Sequence, residues 1–160
     1  MKAGLLAREG AALRDMADRL EIREVLERYF FGDDRGDAES LNQCLTVDAE
    51  ARYDMGGAEP VAVKGRAAIV SAIVDATSQR LGVNHLLSNT RIEVEGDRAT
   101  ADSYAIANVV VGDANAGRVL VRGIQYLDEF VRTDEGWRIK TRIHKALWQY
   151  EAPATAPGIP

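Results

Sequence analysis

The chain has 160 residues, the size of one domain with a real core, and a net charge of −5 with both signs interspersed. Aliphatic and aromatic residues make up 46% and charged residues 28%, so no basic stripe is available for a phosphate backbone and nucleic acid is not expected as a partner. Cys44 is the only cysteine, which excludes an internal disulfide, and with His85 and His144 as the only histidines there is no Cys/His set for zinc.

Nothing resembles a calcium loop or an HExxH motif, so no metal and no cofactor is expected, although counting alone leaves a carboxylate-rich metal site open. No apolar run reaches the roughly 18 residues of a spanning helix. The first twenty residues are charged throughout and lack the apolar core of a signal peptide. A membrane partner is therefore not expected, and the cytoplasm is the expected location.

From Leu13 to Phe31 the pattern is helical, with Met16, Leu20, Ile22, Leu26, Tyr29 and Phe30 on one stripe. Residues 1–12 read as an extension ahead of a domain spanning 13–150. The helix is expected to stop within Gly32-Asp33-Asp34-Arg35-Gly36. A short helix over Ala38 to Leu45, a strand near Ala51 to Asp54 and a loop from Met55 to Pro60 come next. Gly65 to Gln79 returns to helical spacing through Ile69, Ile73 and Val74.

After Leu81 four β-rich segments follow: Val83–Val94, Ala99–Val111, Arg118–Arg132 and Trp137–Trp148. Turn signals at Glu95-Gly96-Asp97, Gly112-Asp113-Ala114-Asn115 and Asp134-Glu135-Gly136 separate them, which predicts an antiparallel meander. Strands this long must bend, and the concave face is the one helices cap. The pattern predicts an α+β fold, with helices on one face of a curved sheet. Residues 151–160 read as a tail, small and Pro-rich from Ala152 onward, either disordered or lying along a neighbouring subunit.

Two readings fit Asp34: a solvated turn residue, or a carboxylate at a helix C-terminus, where the dipole favours a cationic or hydrogen-bonding partner. Two also fit His85, early in the first long strand: a structural imidazole, or one that faces the concave surface and meets Asp34. Such a pair is a working general base, because the carboxylate fixes the tautomer and stabilises the imidazolium. No GxSxG elbow is present and Cys44 has no histidine nearby in sequence, so proton transfer fits better than covalent catalysis.

Strand parity places Arg138, Lys140, Arg142 and His144 together, on a solvated outer face unless a bulge or the curl of the sheet turns Arg142 inward. His144 is expected to lie beyond the level of the pocket. Tyr29 and Tyr104 read as core or pocket-wall residues whose phenols can donate a hydrogen bond to a substrate oxygen.

The run Asp18 to Tyr29, the acidic Asp33-Asp34, Gly65-Arg66-Ala67-Ala68-Ile69, His85 with Asn89, and Gly136-Trp137-Arg138-Ile139 with Arg142 beyond it resemble the SnoaL-like (nuclear transport factor two-like) superfamily. The resemblance spans Met16 to Trp148 and implies a cone-shaped α+β barrel enclosing one pocket. Hexachlorocyclohexane dehydrochlorinase, scytalone dehydratase and bile acid dehydratase are the look-alikes, and their aspartate–histidine dyad falls on Asp34 and His85. A dehydrochlorinase arginine falls on Arg142 and a dehydratase tyrosine on Tyr29. The further histidine or aspartate that the dehydratases bring from the next strand is missing from Tyr104-Ala105-Ile106-Ala107-Asn108.

The resemblance implies a cofactor-independent lyase or isomerase acting on a small hydrophobic cyclic substrate, with Tyr104, Asn108, Phe30 and Trp148 touching it. A polyketide cyclase, or a non-catalytic assembly subunit like the small subunit of ring-hydroxylating dioxygenases, are the alternatives. Apolar residues at both parities of the strands, such as Val109-Val110-Val111, predict a homotrimer or homodimer formed through the outer sheet face.

Overall fold

The computed structural model describes residues 2–57, 59–112 and 117–154. In chain order the elements are α1 (Lys2–Arg35), α2 (Ala38–Asn42), β1 (Leu45–Asp54), β2 (Val61–Lys64), α3 (Arg66–Ser78), β3 (Gly82–Glu95), β4 (Arg98–Val111), β5 (Gly117–Thr133) and β6 (Gly136–Ala154). They form one curved, unclosed sheet of order β2-β1-β6-β5-β4-β3 with the helices packed on one side, a cone-shaped α+β fold. The meander β3 to β6 is antiparallel throughout; β1 lies parallel to β6 and antiparallel to the edge strand β2. No described helix is long and apolar enough to cross a membrane.

The buried stripe of α1 is Ile22, Val25, Leu26, Tyr29 and Phe30, spaced i, i+3, i+4, i+7, i+8. Met16 and Leu20, expected on it, are exposed. The helix starts at Lys2 rather than Leu13, so much of the expected extension is continuous with it. It also runs through the glycine and aspartates expected to break it, and ends one residue before Gly36. There the amide of Asp37 bonds Gly32 O at 2.8 Å and that of Gly36 bonds Asp33 O at 3.2 Å, a Schellman closure that requires the positive φ of Gly36 (63°). Asp37 then caps α2, its Oδ1 accepting from the amides of Glu39 and Ser40. This stop holds Asp33 and Asp34 in the last turn of a helix rather than in a loop.

Strand β2 was not apparent in the sequence, and β1 begins at Leu45 rather than Ala51. At the C-terminal end, Ala152 to Ala154 pair with Val119 to Gly117, so the start of the expected tail is strand; residues 155–160 lie outside the described residues. Two irregularities in the pairing of β6 decide which side chains reach the core. Phe130 pairs with Ile139 but Glu129 with Thr141, leaving Lys140 as an extra residue; Ile124 pairs with Ala146 but Gly123 with Trp148, leaving Leu147 as another. Each bulge reverses the inside–outside alternation beyond it.

Candidate functional site

Asp34 and His85 are in direct contact. The imidazole Nδ1 lies 2.7 Å from Asp34 Oδ1, and the backbone amide of His85 donates to Asp34 Oδ2 at 3.1 Å. One carboxylate thus holds both the ring and the strand that carries it. Because a carboxylate only accepts, Nδ1 bears the hydrogen, and in the neutral ring the lone pair is on Nε2. The imidazole is also stacked on Phe30, ring centroids 5.2 Å apart at 24°, so its plane is fixed as well as its tautomer.

His85 lines a cavity of about 340 Å³ between α1, α3 and the concave sheet face. Tyr29, Asp33, Tyr53, Tyr126 and His144 line it too, together with Arg80 and Arg122. The hollow exists because short side chains face it from opposite walls: Ala72 and Ala76 on α3, one turn apart, and Ala107 on β4. Burial pushes the pKa of Tyr29 well above that of a free phenol, so its hydroxyl stays a neutral donor. Burial likewise raises the Asp33 carboxyl, against the pull of His85 and Arg80. Asp33 accepts from Thr77 Oγ1 through its backbone oxygen at 3.0 Å, and Arg80 approaches its carboxylate at 3.9 Å.

Arg142 points inward, as the Lys140 bulge dictates, but it does not line the cavity. Its guanidinium is forked onto Asp128, Nε to Oδ1 at 2.7 Å and Nη2 to Oδ2 at 2.8 Å, with side-chain exposures of 1% and 0%. The guanidinium carbon sits 3.9 Å from the Tyr29 ring centroid and 4.7 Å from that of Tyr126. Burial opposes its charge, yet Asp128 keeps its pKa above the ordinary arginine value. Among the described residues Nη1 has no hydrogen-bond partner. Arg142 therefore braces the aromatic wall from behind.

The same bulge brings His144 into the cavity, contrary to the expectation that it lies beyond it. Burial, with Arg122, Arg142 and His85 nearby, lowers its pKa to about 4, so it is neutral across the physiological range. Its Nδ1 is buried and has no hydrogen-bond partner among the described residues.

The four residues expected to touch substrate, Tyr104, Asn108, Trp148 and Phe30, are not among those lining the cavity. Tyr104 (45% exposed) and Asn108 alternate with the inward Ala105 and Ala107, and so face away. The Leu147 bulge turns Trp148 (49% exposed) onto the outer face, where it stacks on Tyr150. Phe30 is buried behind His85 rather than in the lining. Sequence reasoning missed Asp128, Arg122, Tyr53 and Tyr126. Asp128 carried a signal, since it shares the inward parity of Tyr126 and Phe130 on one strand. Among the described residues, no three His, Cys, Asp or Glu side chains converge to hold a metal.

The model of the SnoaL-like domain matches residues 14–143, and the chain belongs to this family. It is similar to an uncharacterised protein of Mycobacterium tuberculosis, 34% identical over 151 residues that cover 91% of this chain and 96% of the relative. Among solved structures it resembles a nuclear transport factor two-like protein with a cystatin-like fold from Novosphingobium aromaticivorans. That protein is 32% identical with a TM-score of 0.70, over 89% of this chain and 90% of the other. It also shares its fold with hexachlorocyclohexane dehydrochlorinase from Novosphingobium barchaimii, at 18% identity and a TM-score of 0.74, over 93% and 99%.

Proposed function

We propose that the protein is a cofactor-independent lyase or isomerase in which His85, oriented by Asp34, removes a proton from carbon on a small cyclic substrate. The observation that carries this reading is the 2.7 Å contact that commits Nδ1 to Asp34 and leaves Nε2 basic on a residue of the cavity wall. In an elimination the C–H bond breaks, its proton passes to Nε2, and the electron pair forms a double bond as the neighbouring group departs. In an isomerisation the pair delocalises and the imidazolium returns the proton to another carbon. Asp34 stabilises the imidazolium in either case. Tyr29, a neutral donor in the lining, would bond an oxygen on which charge develops.

Ligand pockets run from about 300 to 1,000 Å³, so this cavity suits a compact molecule of one or two rings. The fold shared with a dehydrochlorinase supports lyase chemistry as the first to try. A panel of cyclic halides, hydroxyketones and polyketide mimics, incubated in deuterated buffer, would reveal a substrate through deuterium uptake or product formation. Removing a general base costs about 10²–10⁴ in rate, so His85→Ala and Asp34→Asn should both fall by that much while remaining folded. A near-normal rate in His85→Ala would show that the base lies elsewhere.

A further inference from the structure

Arg122 lies on the same sheet row as the base. His85 pairs with Ala107, Ala107 with Arg122, and Arg122 with Gln149. Two strand spacings, roughly 10 Å, separate the backbones of His85 and Arg122, and on the inner face only the methyl group of Ala107 stands between them. The guanidinium donates from Nε and Nη2 to Gln149 Oε1 at 3.2 and 3.0 Å, and Nη1 rests 3.7 Å from Met55 Sδ, a weak acceptor. Among the described residues no carboxylate oxygen lies within the 4.0 Å of an ion pair. Arg80 adds a second positive charge to the lining, with Asp33 at 3.9 Å as its neighbour.

The cavity is therefore short of negative charge. Asp34 is committed to His85, and Asp33, the one carboxylate lining the cavity among the described residues, sits beside Arg80, which leaves Arg122 unmatched. Burial and the repulsion of Arg80 both act against the charge on Arg122. A guanidinium that is half-buried, and whose side-chain contacts among the described residues are an amide and a thioether, has no charge partner there. A planar carboxylate matches its fork.

Building on the lyase or isomerase reading, we infer that the substrate is a ring bearing a carboxylate, anchored by Arg122 with Arg80 beside it while the ring carbon faces His85. Binding of this anion needs no chemistry, so it can be measured apart from the base. The probes are cyclohexanecarboxylate and benzoate, each against its carboxamide, titrated into the full chain by calorimetry or ligand-observed NMR. The carboxylates are expected to bind at least tenfold more tightly than the amides. Arg122→Gln should erase that preference, Arg122→Lys should keep part of it, and Arg80→Gln should reduce it several-fold. Circular dichroism would establish that each variant is folded, and Arg122→Lys carries the comparison if Arg122→Gln is not.

The acid-over-amide preference and its loss in Arg122→Gln are read without turnover, whereas the base is tested by the rate of His85→Ala, so a wrong base and a wrong anion site give different results. Equal binding of acid and amide, no binding of either, or a preference that survives in Arg122→Gln would overturn the assignment.

Discussion

Replacing Asp128 by Asn would leave the Arg142 guanidinium charged in the core without a counter-ion. Both side chains are essentially inaccessible, at 1% and 0%, and the two form a bidentate pair. Removing one partner of such a buried pair typically costs about 3–5 kcal/mol, because the remaining charge can neither pair nor reach water. The amide oxygen of the asparagine still accepts from the guanidinium and offsets part of this, while the Tyr29, Tyr126 and Phe30 rings around it surround the charge in parent and variant alike. The expected net loss is therefore at the lower end, about 3 kcal/mol, or about 6–12 °C in Tm at this chain length.

Urea unfolding followed by the fluorescence of buried Trp137 would measure it. The paired replacement Asp128→Leu with Arg142→Met removes both charges together and should recover most of the loss. A drop below about 1 kcal/mol in Asp128→Asn would refute the reasoning, since it would mean that the rings alone sustain the charge.

Three further outcomes are expected. The His144 pKa of about 4 lies below the unfolded value of 6.5, so the unfolded chain binds the proton first as pH falls. Stability should decline from about pH 6.5 down to about pH 4, by about 3 kcal/mol from this residue, and His144→Gln should flatten that part of the profile. Deleting Lys140, the residue left over against β5, would make this part of β6 regular, with Thr141 still opposite Glu129 and Arg142 still opposite Asp128, so Arg142 and His144 should stay inward. The variant should fold with stability near the parent's in urea unfolding; failure to fold would contradict the role given to the bulge. Leu86, Tyr104, Ile106, Leu147, Trp148 and Tyr150 are exposed large apolar side chains, so light scattering should find a dimer or trimer at micromolar concentration.

Where local rules govern the chain, the sequence was readable. The α1 stripe from Ile22 to Phe30 continues in register onto Asp33 and Asp34, so the helix period alone brings two carboxylates to the core-facing side. Glycines at the turns bounded the strands of the meander to within a few residues. The site was less legible because it depends on β6 changing phase twice. Neither Lys140 nor Leu147 differs in type from a regular strand residue, and each bulge exists only as a mismatch with β5. Strict alternation therefore put His144 outside the pocket, and without the second slip Trp148 would face in. Tyr104 and Asn108 required no bulge: the parity of Ala105 and Ala107 already placed them outside.

Of the three alanines around the cavity Ala72 is exposed, but Ala76 and Ala107 have an energetic consequence. At each of these two a valine would bring two more carbons toward the core, at about 0.8 kcal/mol apiece. Together they forgo about 3 kcal/mol of burial, against a net stability of a whole domain of about 5–15 kcal/mol. A sequence optimised for rigidity alone would close this space, and filling it is among the simplest stabilising changes available to such a chain. The hollow is thus kept at a cost in stability. A variant filled at Ala76 and Ala107 would be expected to melt later and to leave less room for a guest.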